Sequence, residues 1–248
     1  MSFNFSPKIV TNGLILYYDP ANTKSFVSGS TSLYDLTTNK YDGLLVNGPV
    51  YSADSKGTIS LDLTDDRINF PNTSSLTNGT ASIWFRNNSV ITTATTNSFL
   101  FEFTSASTLT TQSFTSVLGN VAFATSRVEL LSVYLYSDVS TIVGNYIASD
   151  LPITGQNIPV GWHNLVVARD SSGTRVYFDN TLLGAPSQGN NITTITTSTV
   201  PFSFVDWNLN KIGRILGGLV STFKIYNRAL TTAEVNRNYN ALKNRFGL

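Results

Sequence analysis

Acidic side chains able to work in pairs are scarce in this chain of 248 residues, which has three glutamates, Glu102, Glu129 and Glu234. Glycoside hydrolysis needs two carboxylates on either side of one bond. Asp65 and Asp66 are adjacent, but neighbouring residues of a strand point to opposite faces, so on a strand this pair is expected not to share a substrate. Hard cations make a different demand, for carboxylate and carbonyl oxygens gathered from loops. Asp62, Asp65 and Asp66 form the best local supply, and Asp35 with Asn39 and Asp42 forms a second. Calcium is the cofactor these sets could hold. The alternative for both is an Asx turn, because Asp and Asn also bond their own backbone. His163 is the only histidine, so any Ser-His-Asp arrangement or imidazole metal site must use it. Strand alternation puts Trp162, Asn164, Val166 and Ala168 on one face and His163, Leu165, Val167 and Arg169 on the other. His163 is therefore expected at the edge of a core, and no catalytic residue is assigned. The chain has no cysteine, which removes thiolate zinc sites and disulfides together.

A sugar offers an apolar face and a ring of hydroxyls, so its site needs an aromatic ring beside polar groups. Asp206, Trp207 and Asn208 meet that need in one polar stretch. Tyr41 with Asp42 and Tyr146 with Asn145 are weaker copies. Trp84 and Trp162 lie inside alternating apolar runs, where core packing is expected instead.

The elements that must position these groups are strands. Ser82–Arg86, Phe99–Phe103, Val121–Ala124, Val128–Tyr136, Leu165–Ala168, Val176–Phe178 and Phe223–Tyr226 carry β-branched and aromatic residues between Gly, Pro, Asn and Ser clusters. The spacing is that of two antiparallel sheets packed face to face. One helix is specified near the C-terminus, with Thr231 as cap, Glu234 three residues on, and an apolar stripe of Val235, Tyr239, Leu242 and Phe246. It is expected against a sheet edge or an end of the sandwich. With 41% hydrophobic and 12% charged residues, the chain can bury one large core and reads as one domain over 12–248, preceded by an arm over 1–11. A net charge of +1 gives no field for nucleic acid or an anionic membrane, and no run is long enough for membrane insertion. The first residues lack the basic and apolar regions of a secretory signal.

The order of segments resembles the laminin-G-like members of the concanavalin A-like lectin/glucanase superfamily. The C-terminal half carries it in Gly161–Asp170, Thr174–Asn180, Ile212-Gly213-Arg214 and Gly218–Leu230; the N-terminal quarter in Gly13–Asp19, Tyr34–Thr37, Gly43–Pro49 and Leu61–Ile68. It covers residues 12–90 and 160–248. Asp179-Asn180 stands where the family has Asp-Gly, and Thr37-Thr38-Asn39 where it has Ser-Gly-Asn; Asn tolerates the left-handed backbone such turns require. The resemblance implies an all-β, concanavalin A-like jelly-roll sandwich with a short C-terminal helix, and calcium at one rim. Its hydrolytic branch displays Glu-x-Asp-x-x-Glu on one strand, and that pattern is absent here. The expected function is a non-catalytic binding or structural module that contacts glycans or neighbouring subunits, with a homo-oligomer open. A sandwich of this type without cysteines or an export signal is similar to phage structural proteins, which places it in a virion surface or tail, or outside the cell. The alternatives are a carbohydrate-active enzyme or its binding module, and a purely architectural virion subunit.

Overall fold

The computed structural model describes residues 7–62, 64–71, 78–88, 160–170, 175–183 and 218–248 in full, and the backbone alone of 98–103, 114–118, 131–136, 142–147, 173–174, 210–212 and 217. Within these residues the chain forms β1 (Leu14–Tyr18), β2 (Ser32–Leu33), β3 (Gly43–Val46), β4 (Val50–Ser52), β5 (Thr58–Asp62), β6 (Arg67–Phe70) and β7 (Gly79–Asn87). There follow β8 (Ser98–Phe103), β9 (Phe114–Leu118), β10 (Leu131–Tyr136), β11 (Ile142–Ile147), β12 (Gly161–Asp170) and β13 (Gly173–Phe178). The last strands are β14 (Thr181–Leu182), β15 (Asn210–Ile212) and β16 (Gly217–Tyr226), before helix α1 (Thr232–Leu242) and a 3-10 turn at Lys243–Phe246. The expected strand at Val121–Ala124 lies outside the described residues.

Two eight-stranded antiparallel sheets result. The first runs β14-β13-β12-β7-β16-β5-β4, with β1 also paired to β16; the second runs β11-β10-β9-β8-β15-β6-β3-β2. All-β sandwich architecture is thus as expected. Strands β12 and β13 form a hairpin in which Leu165 lies opposite Phe178 and Asp170 opposite Gly173. The next turn has φ of 47° at Asp179 and 68° at Asn180, bringing Phe178 opposite Thr181. Two left-handed residues are what a tight hairpin turn of matching twist requires, and Asp-Asn supplies them without glycine.

The main core lies between the sheets, where Leu16, Ile83, Leu165, Val167 and Phe223 of the first meet Ile68 and Phe70 of the second. Phe70 and Phe223 have ring centroids 5.5 Å apart. The first sheet is apolar on its outer face as well. Trp84, Trp162 and Leu219 project there from three neighbouring strands, and Phe246 stacks on Trp84 at 4.3 Å and packs on Trp162 at 4.5 Å. A second outer cluster joins Val166, Tyr177 and Tyr226 to Val10 and Val235. Helix α1 therefore covers the middle of a sheet face, rather than an edge or end. The reason is the width of the apolar surface, which no edge contact could keep from water. Its start is as read from sequence: Thr231 and Glu234 form a complete capping box. Glu234 also takes a bidentate pair from Arg228 at 2.6 and 2.8 Å, which pulls its carboxyl down to about 2.

The start of the chain is tied to the same helix. Val10 donates its N–H to Asn238 Oδ1 at 2.7 Å, Tyr226 Oη donates to Val10 O, and Arg237 donates to Lys8 O. The described part of the expected arm thus lies on its own chain.

One arginine fastens the end. Arg245 donates to Ser55 O, Asp19 Oδ1, Gly57 O and Ser221 Oγ, all at 2.6 to 2.7 Å. The turn it grips is strained, with Ser55 at φ 46° and Lys56 at φ 71°. Gly57 follows at φ +141°, where a Cβ would lie 2.7 Å from Ala21 Cα. Beside this clamp lies Lys224, 1% exposed, its Nζ 3.1 Å from Thr222 Oγ1 and 5.2 Å from the Tyr17 ring centroid. Burial lowers its pKa to about 7, opposed by the negative charge of Asp19 and aided by Arg245.

Two outcomes follow from this layer. Arg245→Ala leaves Asp19 half-sealed without its cation and should cost about 3–5 kcal/mol in urea unfolding, while Arg228→Ala, at a more open pair, should cost less. For Lys224 the unfolded chain binds the proton more tightly between pH 7 and 10.5, so wild-type stability gains with pH across that window. Lys224→Met should be more stable than wild type at pH 7, by on the order of 4 kcal/mol, and the two unfolding midpoints should converge toward pH 10.

Candidate functional site

At the rim where β5 hands the chain to β6, Asp62, Asp65 and Asp66 bring carboxylate oxygens within 4.8 Å of one another. Strand alternation had kept Asp65 and Asp66 apart, but both lie in the turn between the strands, where that parity does not apply. Asp62 Oδ1 accepts the N–H of Thr64 at 2.8 Å, and this backbone bond first, with those of Asp66 and Asp65, lowers its pKa. Asp66 goes the other way. It is 4% exposed, and burial, then the charges of Asp62 and Asp65, raise its pKa. Its Oδ1 is buried without a hydrogen-bond partner. Asn47 Nδ2 donates to Asp65 Oδ2 at 2.8 Å and braces the turn from the β3–β4 loop. Gly48 follows at φ +114°, and a Cβ there would sit 3.6 Å from Asp66 Oδ1. Asn47 and Gly48 were not marked by the sequence, since only the fold brings that loop to this one.

Chemically, the set is a pocket of negative charge with an oxygen that lacks a donor, which is what a hard cation relieves. As a hydrolytic pair it is poor. Both carboxyls must reach one glycosidic bond, and Asp66 is sealed beneath the turn.

The Asp35 set is arranged differently. Asp35, 2% exposed, accepts from Tyr17 N and Thr37 N on Oδ1, and from Thr37 Oγ1 and Tyr41 N on Oδ2, at 2.6 to 3.1 Å. Asp42 Oδ1 accepts the N–H of Asp35, and Asn39 Nδ2 donates to Ile15 O. Four donors fill the Asp35 carboxylate, so it organises the turn. Tyr41 is half-buried against the main core, and its carbonyl accepts the Tyr18 hydroxyl.

His163 is 5% exposed, on the inner face as alternation required. Its Nδ1 lies 2.8 Å from Asp179 Oδ2, and its ring stacks on Phe178 at 5.0 Å. Asp179 Oδ1 accepts the Asn164 N–H at 2.7 Å, so the left-handed turn and the imidazole hold each other. Trp84 and Trp162 are core residues, as expected. Asp206, Trp207 and Asn208 lie outside the described residues. Asn145 and Tyr146 stand on β11, described by its backbone alone. Among the described residues no helix is long and apolar enough to cross a membrane.

No protein-family model matches the sequence, and no curated protein matches it. Solved structures do share the fold. Domain 4 of AbnA, a GH43 extracellular arabinanase from Geobacillus stearothermophilus, in complex with arabinotriose, aligns with a TM-score of 0.58 at 14% identity, over 92% of this chain and 98% of that one. A Trypanosoma rangeli sialidase in complex with sialic acid gives 0.60 at 11%, over 98% of this chain and 36% of the sialidase. The ligand binding domain of botulinum neurotoxin serotype D, in complex with N-acetylneuraminic acid, gives 0.56 at 13%, over 92% and 50%. At such identities the likeness establishes a shared β-sandwich fold.

Proposed function

We propose that this chain is a non-catalytic carbohydrate-binding module that holds calcium at the β5–β6 rim and works at a phage virion surface or tail, or otherwise outside the cell. The observation that carries the reading is where free surface remains. Among the described residues the interior is packed, and the outer face of the first sheet is covered by Val10, Val235, Tyr239, Leu242 and Phe246, so the rims are the proposed place for a ligand. The neighbouring folds support a glycan as that ligand, since two sialic-acid complexes and an arabinotriose complex are among them. Trp207 with Asp206 and Asn208 is the proposed platform, with Tyr41 a lesser contact because its ring is half-buried. The metal ligands are Asp62, Asp65 and Asp66, where the donorless oxygen of Asp66 supports a cation. Asp35, Asn39 and Asp42 are left out of the metal site, because their polar atoms already serve the turn.

A glycan array with and without calcium should show binding to a defined group of oligosaccharides, with no release of reducing sugar. Trp207→Ala should lose roughly tenfold in affinity, about the stacking of one ring; equal binding removes Trp207 from the site, and an array with no binding in either condition overturns the reading. Calcium at a hundred times its Kd adds about 2.7 kcal/mol to stability, which for a domain of this size is a rise in Tm of roughly 5–10 °C. Asp66→Asn should abolish that rise and, in chelator, melt above wild type because it removes a carboxylate that its neighbours repel. A wild-type Tm indifferent to calcium would sink the metal site.

A further inference from the structure

Phe223 and Ile225 of β16 belong to the main core, so Lys224 between them points to the outer face, the side covered by α1 and the Lys243–Phe246 turn. Tyr17 on β1 and Ser82 on β7 lie opposite it in register. An ammonium carries three donors. Among the described residues this one, 1% exposed, has a single acceptor, Thr222 Oγ1 at 3.1 Å, with the Tyr17 ring centroid 5.2 Å away. The carboxylate within electrostatic reach, Asp19, is already engaged: its Oδ1 holds Arg245 at 2.7 Å and its Oδ2 accepts the Tyr17 hydroxyl at 3.0 Å. Two cationic side chains thus face one carboxylate. The titratable groups around them are neutral or paired. Burial first raises the pKa of both Tyr17 and Tyr226, so these stay phenols at neutral pH. On α1, Glu234 holds Arg228, and Tyr239 stacks on Trp84. The segment above the pair has few anchors. Among the described residues, the hydrogen bonds from residues 243–248 to anything beyond α1 and their own turn all come from Arg245. Phe246 adds the apolar contact, on Trp84 and Trp162 with Leu219 in the same cluster.

We infer that residues 243–248 form a latch over Trp84, Trp162 and Leu219, shut while Lys224 is a neutral amine and loosened when it takes up a proton. With the amine neutral, Asp19 serves Arg245 alone and the clamp is complete. With the ammonium formed, the shut state seals a charge that has one hydroxyl acceptor and a second cation nearby. Opening lets water reach both cations and frees Asp19 for either, which makes it a local opening driven by one buried charge. Burial, opposed by Asp19 and aided by Arg245, lowers the amine to about 7 in the shut state, against 10.5 for a solvated lysine. The open state therefore binds the proton more tightly, and opening gains with each fall in pH between 10.5 and 7, then levels off below 7. Exposure of an aromatic strip is thereby tied to pH, whatever the rims bind.

The chain has no cysteine, so an introduced thiol reports on one place. Leu219→Cys puts a thiol in the cluster beneath Phe246, and Val167→Cys puts one in the main core as a gauge of global unfolding. Labelling by dithionitrobenzoate, normalised to glutathione at the same pH, follows the fraction open. The thiol at 219 should label roughly a hundredfold faster than the thiol at 167 at pH 7.5, as a local opening does. Its normalised rate should fall about tenfold per unit from pH 7.5 to 9.5. Adding Lys224→Met should make that rate slow and flat with pH, and Lys224→Gln, neutral but polar, should give the same flat profile. Adding Arg245→Ala should speed labelling at 219 more than at 167. Equal rates at the two positions overturn the latch, since the face then opens only with the whole molecule. A slope that survives both lysine variants overturns Lys224 as the group that takes the proton, and an unchanged rate in Arg245→Ala overturns the arginine as the fastening.

Discussion

Strand β12 is buried on both sides from Trp162 to Arg169, and the rest of the molecule is arranged around that fact. An antiparallel sheet with one wet face needs polar residues at alternate positions. Here alternation separates two apolar sets: Leu165 and Val167 face the second sheet, while Trp162 and Val166 face outward. The outward set must be covered, and the chain covers it with what remains at its two ends. Val10 comes from one end, and Val235, Tyr239, Leu242 and Phe246 from the other. The molecule thus has a partial third layer, with a polar seam beneath it in Lys224, Asp19 and Arg245 that would be poorly placed in a two-layer sandwich.

Much of this was legible in the residues. Periodicity located β7, β12, β13 and β16, because a strand's side chains alternate whatever its partners are. The capping box at Thr231 and Glu234 was equally local and equally clear. The helix's resting place was not, since its apolar stripe states that it must be covered, without naming the surface. The tryptophans told half of their story. Trp84 and Trp162 were readable as core, but the second core they build was hidden because it depends on a residue at position 246.

The polar sites divide along the same line between local and distant information. Asp35 and Asp66 are both buried aspartates beside turns, and sequence treats them alike. What separates them is supply: Tyr17, Thr37 and Tyr41 furnish Asp35 with four donors, whereas Asp66 has two acidic neighbours and an oxygen with none. Three of the Asp35 donors lie within six residues, but the Tyr17 amide arrives from β1. Adjacency also misled for Asp65 and Asp66, where the parity of a strand was applied to residues that form a turn. His163 shows the reverse case, since its face was predicted and its partner, Asp179, came from the next hairpin turn.

The pairing of β1 with β16, and the bond from Val10 to a residue 228 positions away, bear on how this protein reaches its native state. Strand β16 is central to the first sheet, flanked by β7 on one side and by β5 and β1 on the other. Contacts of such long sequence separation raise contact order and slow folding. Until β16 arrives, β7 has an open edge and Trp84 faces water, a species exposed to self-association. The first sheet therefore cannot close until β16 has been made, more than a hundred residues after β7, and a factor that shields the early hairpins during synthesis would improve the yield of soluble protein.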